Sequence, residues 1–216
     1  MTGRIKVILV DDHAVVRAGF RMLLATEPDI EVVAEADRGE AACQLYLEKR
    51  PDVVVMDLSM PGIGGLESIR RIRLRDAEAK ILVFSVHDEQ VFVSRAMSAG
   101  AKGYISKNSA PALLIEAIKK IAQGETFIEA KQQGCELEPG ANVDYKSIIN
   151  ALSAREFDVF LLLAKGLTTH KIAEELCLGY KTVANYGTQV RSKLKVSTAA
   201  ELAHIALISG VMKSGR

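Results

Sequence analysis

The sequence predicts an α/β domain with a five-stranded, doubly wound parallel sheet, followed by a small all-α domain. Val- and Ile-rich runs alternate with stretches of helical periodicity in the first part of the chain; the runs cover 5–10, 31–36, 52–57, 80–86 and 102–106. Such alternation is typical of a parallel sheet with helices on both faces. From residue 151 onward only the helical period remains, which indicates a second domain made of helices.

Two features of the strands predict where a site would lie. The runs at 52–56 and 80–84 are almost continuously apolar, as expected for central strands buried on both faces. In parallel sheets, ligands bind at the carboxyl ends of the strands. We therefore look for chemistry in the residues that directly follow each run.

Four short helices are predicted after residue 151. Ser153 and Glu156 have the spacing of a capping box, which predicts a helix start. Thr198 and Glu201 repeat this spacing before the last helix. The remaining boundaries are Gly166, Thr168 or Thr169, the turn Leu178–Gly179, Leu194 and Ile208.

Charge and composition divide the chain into a first domain at 1–124, a linker at 125–147 and a second domain at 148–216. These segments carry 17 basic and 17 acidic, 2 basic and 5 acidic, and 9 basic and 5 acidic residues, respectively. The linker mixes Gly, Pro, Glu and Gln without a sustained period. The basic excess at the C-terminal end suggests a polyanionic partner for the second domain.

The overall composition excludes several classes of protein. With 49% hydrophobic and 25% charged residues among 216, the chain is an ordinary globular one. The longest apolar runs have about six residues, and a membrane helix needs roughly 20, so we expect no membrane association. We see no cleavable signal and expect a cytoplasmic protein. Three widely spaced cysteines form neither a zinc motif nor a disulfide framework.

Three carboxylates follow two of the predicted strands. Asp11 and Asp12 come directly after the first strand, and Asp57 ends the third. If these strands are neighbours, the carboxylates converge and repel one another, and burial would raise their pKa values. A bound Mg²⁺ would relieve the repulsion, since it prefers hard oxygen ligands. A carboxylate beside Mg²⁺ can attack phosphorus and form an acyl phosphate.

Two further strand ends supply groups that such a transfer needs. Ser85 ends the fourth strand with a hydroxyl, and Lys107 follows the fifth with an ammonium that can stabilise transferred charge. Taken singly, each residue has a simpler interpretation as a helix cap, a strand-end hydroxyl or a surface lysine. Together, in order along the strand ends, they favour phosphoryl transfer.

Four motifs carry a resemblance to a known family. The sequence VDDH (10–13), MDLSMPGIGGLE (56–67), FSVH (84–87) and GYISK (103–107) resembles the receiver domain of two-component response regulators. The resemblance implies a flavodoxin-like fold with Asp57 as the phosphoacceptor. It also implies Mg²⁺ bound by Asp12, Asp57 and the backbone carbonyl of Ser59, with Asp11 acting through water.

The resemblance also implies a switch. Ser85 and Tyr104 match the switch pair, and Lys107 matches the phosphate-sensing lysine. Phosphorylation adds about two negative charges; Ser85 would move toward them, and the Tyr104 ring would enter the space that Ser85 leaves. Asn108 differs from the family, since many receivers have proline after the lysine, whereas here Pro111 opens the last helix of the domain.

The second domain contains a predicted helix–turn–helix. Ala173, the turn at Cys177–Gly179 and Val183 have suitable spacing. The following helix has one apolar face, whereas its other face carries amides and hydroxyls bordered by cations, as in helices that read the major groove. A solvated helix face is the alternative. The expected DNA-binding residues are Lys181, Thr182, Asn185, Thr188, Gln189, Arg191 and Lys193.

Two stretches extend the resemblance to the whole chain. The sequence LSAREFDVFLLLAKG (152–166) and KIAEELCLGYKTVANYGTQVRSKLKVSTAAEL (171–202) resembles the LuxR-type helix–turn–helix, so the chain resembles the NarL/FixJ family and its GacA/UvrY-like branch. Two glycines depart from the family: Gly179 stands where a Ser or Thr cap is usual, and Gly187 lies inside the recognition helix at a cost of about 1 kcal/mol.

The resemblance implies a phosphorylation-dependent transcriptional regulator. Its partners would be a sensor histidine kinase, double-stranded promoter DNA and RNA polymerase, and its only catalysis would be its own phosphoryl transfer and dephosphorylation. An unphosphorylated receiver would cover the recognition helix, and phosphorylation would free it. A homodimer would form through the last helix, at 198–208. The apolar stripe on that helix could equally be core; it contains Leu202, Ala203, Ile205 and Ala206.

Three other functions can be compared with a DNA-binding response regulator. A haloacid-dehalogenase phosphatase needs a second Asp two residues after the nucleophile, but Ser59 stands there. A nucleotide-binding domain would have a GxGxxG turn after the first strand, where this chain has two acids that would repel phosphates. The third alternative is a regulator that acts by protein contact alone; loss of DNA binding on changing Lys181 and Asn185 would exclude it.

Overall fold

The computed structural model describes residues 3–129 and 145–212, which belong to two compact units. Residues 3–88 and 93–129 lie in the first unit, and residues 145–212 lie in the second. The predicted linker at 125–147 falls largely on residues 130–144, which are outside the described residues, as is Cys135. Within the described part, Cys43 and Cys177 form no disulfide, and no helix there is long and apolar enough to cross a membrane.

The first unit is built on a parallel sheet. Its strands are β1 (Ile5–Val10), β2 (Ile30–Ala36), β3 (Val53–Met56), β4 (Ile81–Ser85), β5 (Gly103–Ser106) and β6 (Phe127–Ile128). Their order is β2-β1-β3-β4-β5-β6, and every neighbouring pair is parallel. The five predicted strands are confirmed. The sixth begins inside the predicted linker, because two residues are too few to show a period in the sequence.

Helices connect successive strands of the first unit. They are α1 (Ala14–Ala25), α2 (Gly39–Lys49), α3 (Gly64–Arg75), α4 (Gln90–Ala99) and α5 (Pro111–Ala122). Pro111 occupies the start of α5, where its missing N–H costs no hydrogen bond. The core on one side of the sheet joins strand residues such as Val55, Leu82 and Ile105 to Ile118 of α5. This packing fixes the strand ends, and hence any site formed by the loops that follow them.

The second unit consists of helices. They are α6 (Tyr145–Asn150), α7 (Ala154–Ala164), α8 (Thr169–Glu175), α9 (Tyr180–Leu194) and α10 (Ala199–Ile208). The four predicted helices correspond to α7 through α10, and both capping boxes form as expected. Thr168, not Thr169, caps α8. The short α6 begins inside the predicted linker.

Helix α10 contributes to the core of this unit. Its packing partner is α7, and Leu202, Ile205 and Ala206 are almost fully buried. Of the two interpretations of the apolar stripe on the last helix, the structure therefore supports core. Leu207 and Ile208 at the end of α10 keep 41% and 45% of their surface exposed.

Candidate functional site

Strand pairing brings the predicted acidic residues together. Val10 of β1 pairs with Met56 of β3, so Asp11 and Asp57 leave the sheet side by side, and the Asp57 N–H donates to the Val10 carbonyl at 2.9 Å. Both acids are buried, with 6% and 2% of their surface exposed. A Cβ at Gly65 would lie 2.1 Å from the Asp57 carbonyl oxygen, so only glycine permits α3 to begin this close to the strand.

Lys107 bridges two of these carboxylates. Ser85 pairs with Ser106, and the Lys107 N–H donates to the Ser85 carbonyl at 2.8 Å, which directs the lysine back over the sheet. Its Nζ lies 2.6 Å from Asp11 Oδ2 and 2.6 Å from Asp57 Oδ2. The lysine and both acids therefore share one pocket, as the strand ends predicted.

Burial and the pairing of opposite charges shift the pKa values of Asp57 and Lys107 in opposite directions. Burial raises the pKa of Asp57, with a smaller contribution from the Asp11 carboxylate, and it outweighs the lowering by the Lys107 ammonium. Burial alone would lower the pKa of Lys107, but Asp57 and Asp11 reverse this and hold it above its ordinary value. The lysine therefore stays charged at neutral pH.

Asp12 and His13 complete a set of metal-ligand atoms. One ligand atom from each of Asp11, Asp12, His13 and Asp57 lies within 4.8 Å of the others. Asp12 Oδ1 is buried and accepts no hydrogen bond from the residues that the structure describes, although His13 Nδ1 lies 2.9 Å away. A buried carboxylate oxygen that accepts no hydrogen bond fits a site for a divalent cation.

His87 contacts three of the predicted site residues. Its Nε2 lies 3.1 Å from Ser59 Oγ, and its N–H donates to Ser85 Oγ at 3.4 Å. Its carbonyl accepts a hydrogen bond of 2.7 Å from the Tyr104 hydroxyl. Ser59 also donates its N–H to Asp57 Oδ1 at 3.3 Å. The predicted switch pair, Ser85 and Tyr104, is thus joined through one residue.

Three residues near the pocket were missed by the sequence analysis: His13, Arg17 and His87. Arg17 donates through Nη1 to the Asp11 carbonyl and through Nε to Glu35 Oε2 at 3.1 Å. Both histidines lie within the motifs quoted above: His13 directly follows Asp12, and His87 stands two residues after Ser85. This proximity is the signal that could have identified them.

The exposed face of α9 carries most of the residues predicted to bind DNA. Val183, Gly187, Val190 and Leu194 are buried, and Arg191 is half-buried. The turn before α9 contains Cys177 in a left-handed conformation with φ 51°. The residues that α9 exposes include Lys181, Thr182, Asn185, Thr188, Gln189 and Lys193.

Lys193 differs from the rest of this set. Its Nζ lies 2.7 Å from Glu156 Oε2, and Glu156 also accepts the Ser153 N–H at 2.8 Å. Burial alone would raise the pKa of Glu156, but Lys193 and Ser153 outweigh it and lower the pKa below its ordinary value. Lys193 therefore links α9 to the start of α7, a contact that the sequence analysis did not predict.

An acidic pocket at the strand ends of a parallel α/β sheet, joined to a helix–turn–helix, defines a DNA-binding response regulator. Residues 7–119 match the family described as "Response regulator receiver domain". Residues 150–206 match "Bacterial regulatory proteins, luxR family". Together these matches span most of the chain.

The chain is similar in sequence and in structure to known proteins of this class. The chain is 42% identical over 210 residues to the transcriptional activator protein ExaE of Pseudomonas putida, covering 96% of this chain and 98% of the relative. It is 40% identical over 211 residues to the response regulator UvrY of Escherichia coli K12, covering 96% and 95%. A crystal structure of a LuxR-family two-component response regulator from Aurantimonas sp. has a TM-score of 0.56 and 46% identity, covering 58% of this chain and 89% of that chain.

The chain belongs to the NarL/FixJ family of two-component response regulators and is similar to its GacA/UvrY-like members. It is a phosphorylation-dependent regulator of transcription. Its family comprises regulators with receiver and DNA-binding domains, not classical enzymes. A histidine kinase and DNA are its partners by family.

Proposed function

We propose that Asp57 accepts the phosphoryl group from a sensor histidine kinase and that this modification controls promoter binding through α9. The observation that carries the proposal is the Lys107 ammonium, held 2.6 Å from both Asp57 and Asp11 in a buried pocket. Such a cation can stabilise the charge of a transferring phosphoryl group.

Transfer requires a nucleophile and a stabilising cation. An Asp57 carboxylate oxygen attacks phosphorus; its bond to phosphorus forms as the P–N bond of phosphohistidine breaks, and the imidazole leaves with the electron pair. Lys107 then pairs with the phosphoryl oxygens. In a slower, self-catalysed reaction, water attacks the phosphorus of the acyl phosphate, the bond from phosphorus to the Asp57 carboxylate oxygen breaks, and inorganic phosphate leaves. Position 59 is a serine, so no carboxylic acid there speeds this hydrolysis.

A divalent cation, Mg²⁺, would be held by the carboxylates of Asp12 and Asp57 and the carbonyl of Ser59, with Asp11 bound through water. The buried, unbonded Asp12 Oδ1 supports this assignment. When bound, Mg²⁺ neutralises charge on the phosphoryl oxygens.

The switch would act through the hydrogen bonds around His87. A phosphoryl group on Asp57 offers strong acceptors, and the Ser85 hydroxyl, which now accepts the His87 N–H, would donate to it. The loop containing His87 would move with Ser85 and alter the Tyr104 contact. The phosphoryl group thereby favours one of two packings of this region.

DNA reading is assigned to the exposed face of α9. Asn185, Thr188 and Gln189 would contact base edges, while Lys181, Thr182 and Arg191 would contact phosphates. Lys193 is instead paired with Glu156. The phosphorylated chain would bind as a homodimer, with two α9 helices one DNA turn apart. The exposed Leu207 and Ile208 at the end of α10 support a dimer contact there. The bound dimer would then recruit RNA polymerase.

Acetyl phosphate with Mg²⁺ tests the acceptor. We expect wild-type protein to gain one phosphoryl group by intact mass, Asp57→Ala to gain none, and Asp12→Asn to gain it far more slowly because the cation is lost. The control is Asp29→Ala, which changes an exposed carboxylate far in sequence from Asp11, Asp12 and Asp57. This variant should be labelled like wild type. Labelling of Asp57→Ala at the wild-type rate would show that the acceptor is another residue.

Selection of duplexes from a random-sequence pool tests DNA reading. Asn185→Ala should relax sequence preference, whereas Lys181→Met should weaken binding to every sequence. Lys165→Met changes a lysine outside α9 and should leave binding unaltered. If wild-type protein selects no sequence at all, a regulator acting by protein contact alone is favoured. If both α9 variants bind the selected duplexes like wild type, the assignment of DNA reading to α9 is wrong.

A further inference from the structure

The loop that carries Lys107 is fixed by hydrogen bonds. Residues 106–109 contain no proline, so no ring restricts their backbone. Instead, the Asn108 N–H donates to Ser106 Oγ at 3.2 Å, and the Ser109 N–H donates to the Ser106 carbonyl at 3.1 Å. The Lys107 N–H donates to the Ser85 carbonyl. The position of Lys107 thus depends on hydrogen bonds that Ser106 and Ser85 accept from the backbone of this loop.

Glu129 holds both sides of this loop from outside. Its Oε2 accepts the Ser106 N–H at 3.1 Å and the Ser109 hydroxyl at 2.5 Å. Its own N–H donates to the Tyr104 carbonyl at 3.0 Å. Hydrogen bonds to an ionised carboxylate are stronger than those between neutral groups. One side chain therefore fastens the residues that flank Lys107, and its backbone is joined to the strand of the switch tyrosine.

Glu129 lies where the first unit ends and the chain continues toward the DNA-binding unit. It directly follows β6, whose pairing with β5 ends at Tyr104 and Ile128, and it is the last residue of the first unit. Residues 130–144 then lead to the DNA-binding unit. Any displacement of the Lys107 loop must either move Glu129 or break its two side-chain hydrogen bonds.

We propose that Glu129 is a positioning residue that couples the Lys107 loop to the segment leading to the DNA-binding unit. The inference rests on the proposed function, because the displacement begins when a phosphoryl group on Asp57 replaces a carboxylate that Lys107 now contacts. The added charge pulls Lys107 to a new position, and Glu129 follows the loop. Without the Glu129 carboxylate, the loop responds to phosphorylation but the following segment does not.

The test compares DNA affinity of the full chain with and without acetyl phosphate. The probe is a duplex selected from a random pool by phosphorylated wild-type protein, and the readout is the ratio of the two dissociation constants. We expect Glu129→Ala to reduce this ratio about threefold to tenfold, while labelling of Asp57 stays within about twofold. Glu129→Gln keeps an acceptor oxygen and should restore most of the ratio. Ser109→Ala removes one of the two hydrogen bonds and should have a smaller effect of the same sign.

Matched variants separate the possible causes. Glu125→Ala removes the same charge from an exposed position four residues earlier and should keep the wild-type ratio. The double variant Glu129→Ala/Ser109→Ala should match Glu129→Ala alone, because the two residues act through one contact. A Glu129→Ala protein that is less stable but retains the full ratio would overturn the proposal. A wild-type chain with no labelling, or no phosphorylation-dependent ratio, would instead refute the proposed function.

Discussion

Lys193→Met separates a DNA contact from a structural role for Lys193. From the sequence, this lysine was predicted to bind a phosphate. In the structure its Nζ pairs with Glu156 Oε2 at 2.7 Å, and the Glu156 side chain is only 6% exposed. Methionine keeps the apolar stem of the lysine and removes the charge, so the variant leaves the Glu156 carboxylate with its hydrogen bond from the Ser153 N–H but without the Lys193 cation.

The free energy of unfolding that Lys193→Met loses can be bounded from the burial of Lys193 and Glu156. Removing one partner of a fully buried pair costs about 3–5 kcal/mol, whereas exposed pairs contribute at most about 1 kcal/mol. Because the Lys193 side chain is 46% exposed, solvent screens this pair, and its contribution lies between those of exposed and fully buried pairs, nearer the exposed ones. We expect a loss of about 1–2 kcal/mol in the free energy of unfolding. For a unit of this size the loss corresponds to a fall of roughly 4–16 °C in Tm.

Thermal unfolding and the salt dependence of DNA binding are measured together. Each phosphate contact adds about 0.9 to the slope of log affinity against log salt. We expect Lys193→Met to lower Tm with an unchanged slope, whereas the control, Lys181→Met on the exposed face of α9, lowers the slope with an unchanged Tm. A Lys193→Met chain of wild-type stability whose slope falls by about 0.9 would refute the structural role and support the phosphate contact.

Three further outcomes follow from individual contacts. Gly65→Ala should destabilise the first unit by about 2 kcal/mol or more and slow labelling of Asp57, because the new Cβ meets the Asp57 carbonyl at 2.1 Å. The control in denaturant unfolding is Gly19→Ala, where nothing lies within 4 Å of the new Cβ. Equal stability of the two variants would contradict this prediction. Gly187→Ala should raise the Tm of the second unit by a stabilisation of about 0.5–1 kcal/mol, since its Cβ meets only the flexible end of Arg191 at 3.2 Å and Leu163 at 3.6 Å; a lower Tm would show that the helix needs glycine. The stability difference between wild type and Lys193→Met should be full at pH 7 and shrink as pH falls below about 4.5, because the pKa of Glu156 is lowered from 4.5 in the folded state; a difference that grows in acid would have the wrong sign.

Local sequence patterns predicted most of the architecture. Capping boxes depend on residues three apart, so Ser153 with Glu156 and Thr198 with Glu201 could be recognised directly. The acidic pocket could be predicted because parallel strands end at one edge, which places Asp11, Asp57 and Lys107 together once the strands are known.

Contacts between distant residues could not be predicted in this way. Glu156 and Lys193 are 37 positions apart, and neither periodicity nor spacing indicates that they meet. Glu129 follows a strand of two residues that lay within the predicted linker, so its contact with the Lys107 loop appears only in three dimensions. The stripe on α10 was compatible with core or interface, because an apolar face does not reveal what covers it.

The central claim is that modification of Asp57 alone governs how tightly α9 holds DNA. The direct measurement is the affinity of the full chain for a selected duplex, before and after treatment with acetyl phosphate and Mg²⁺, in wild type and in Asp57→Ala. The account predicts that treatment tightens wild-type binding about fivefold or more and leaves Asp57→Ala unchanged. Equal tightening of both proteins, or of neither, would contradict it.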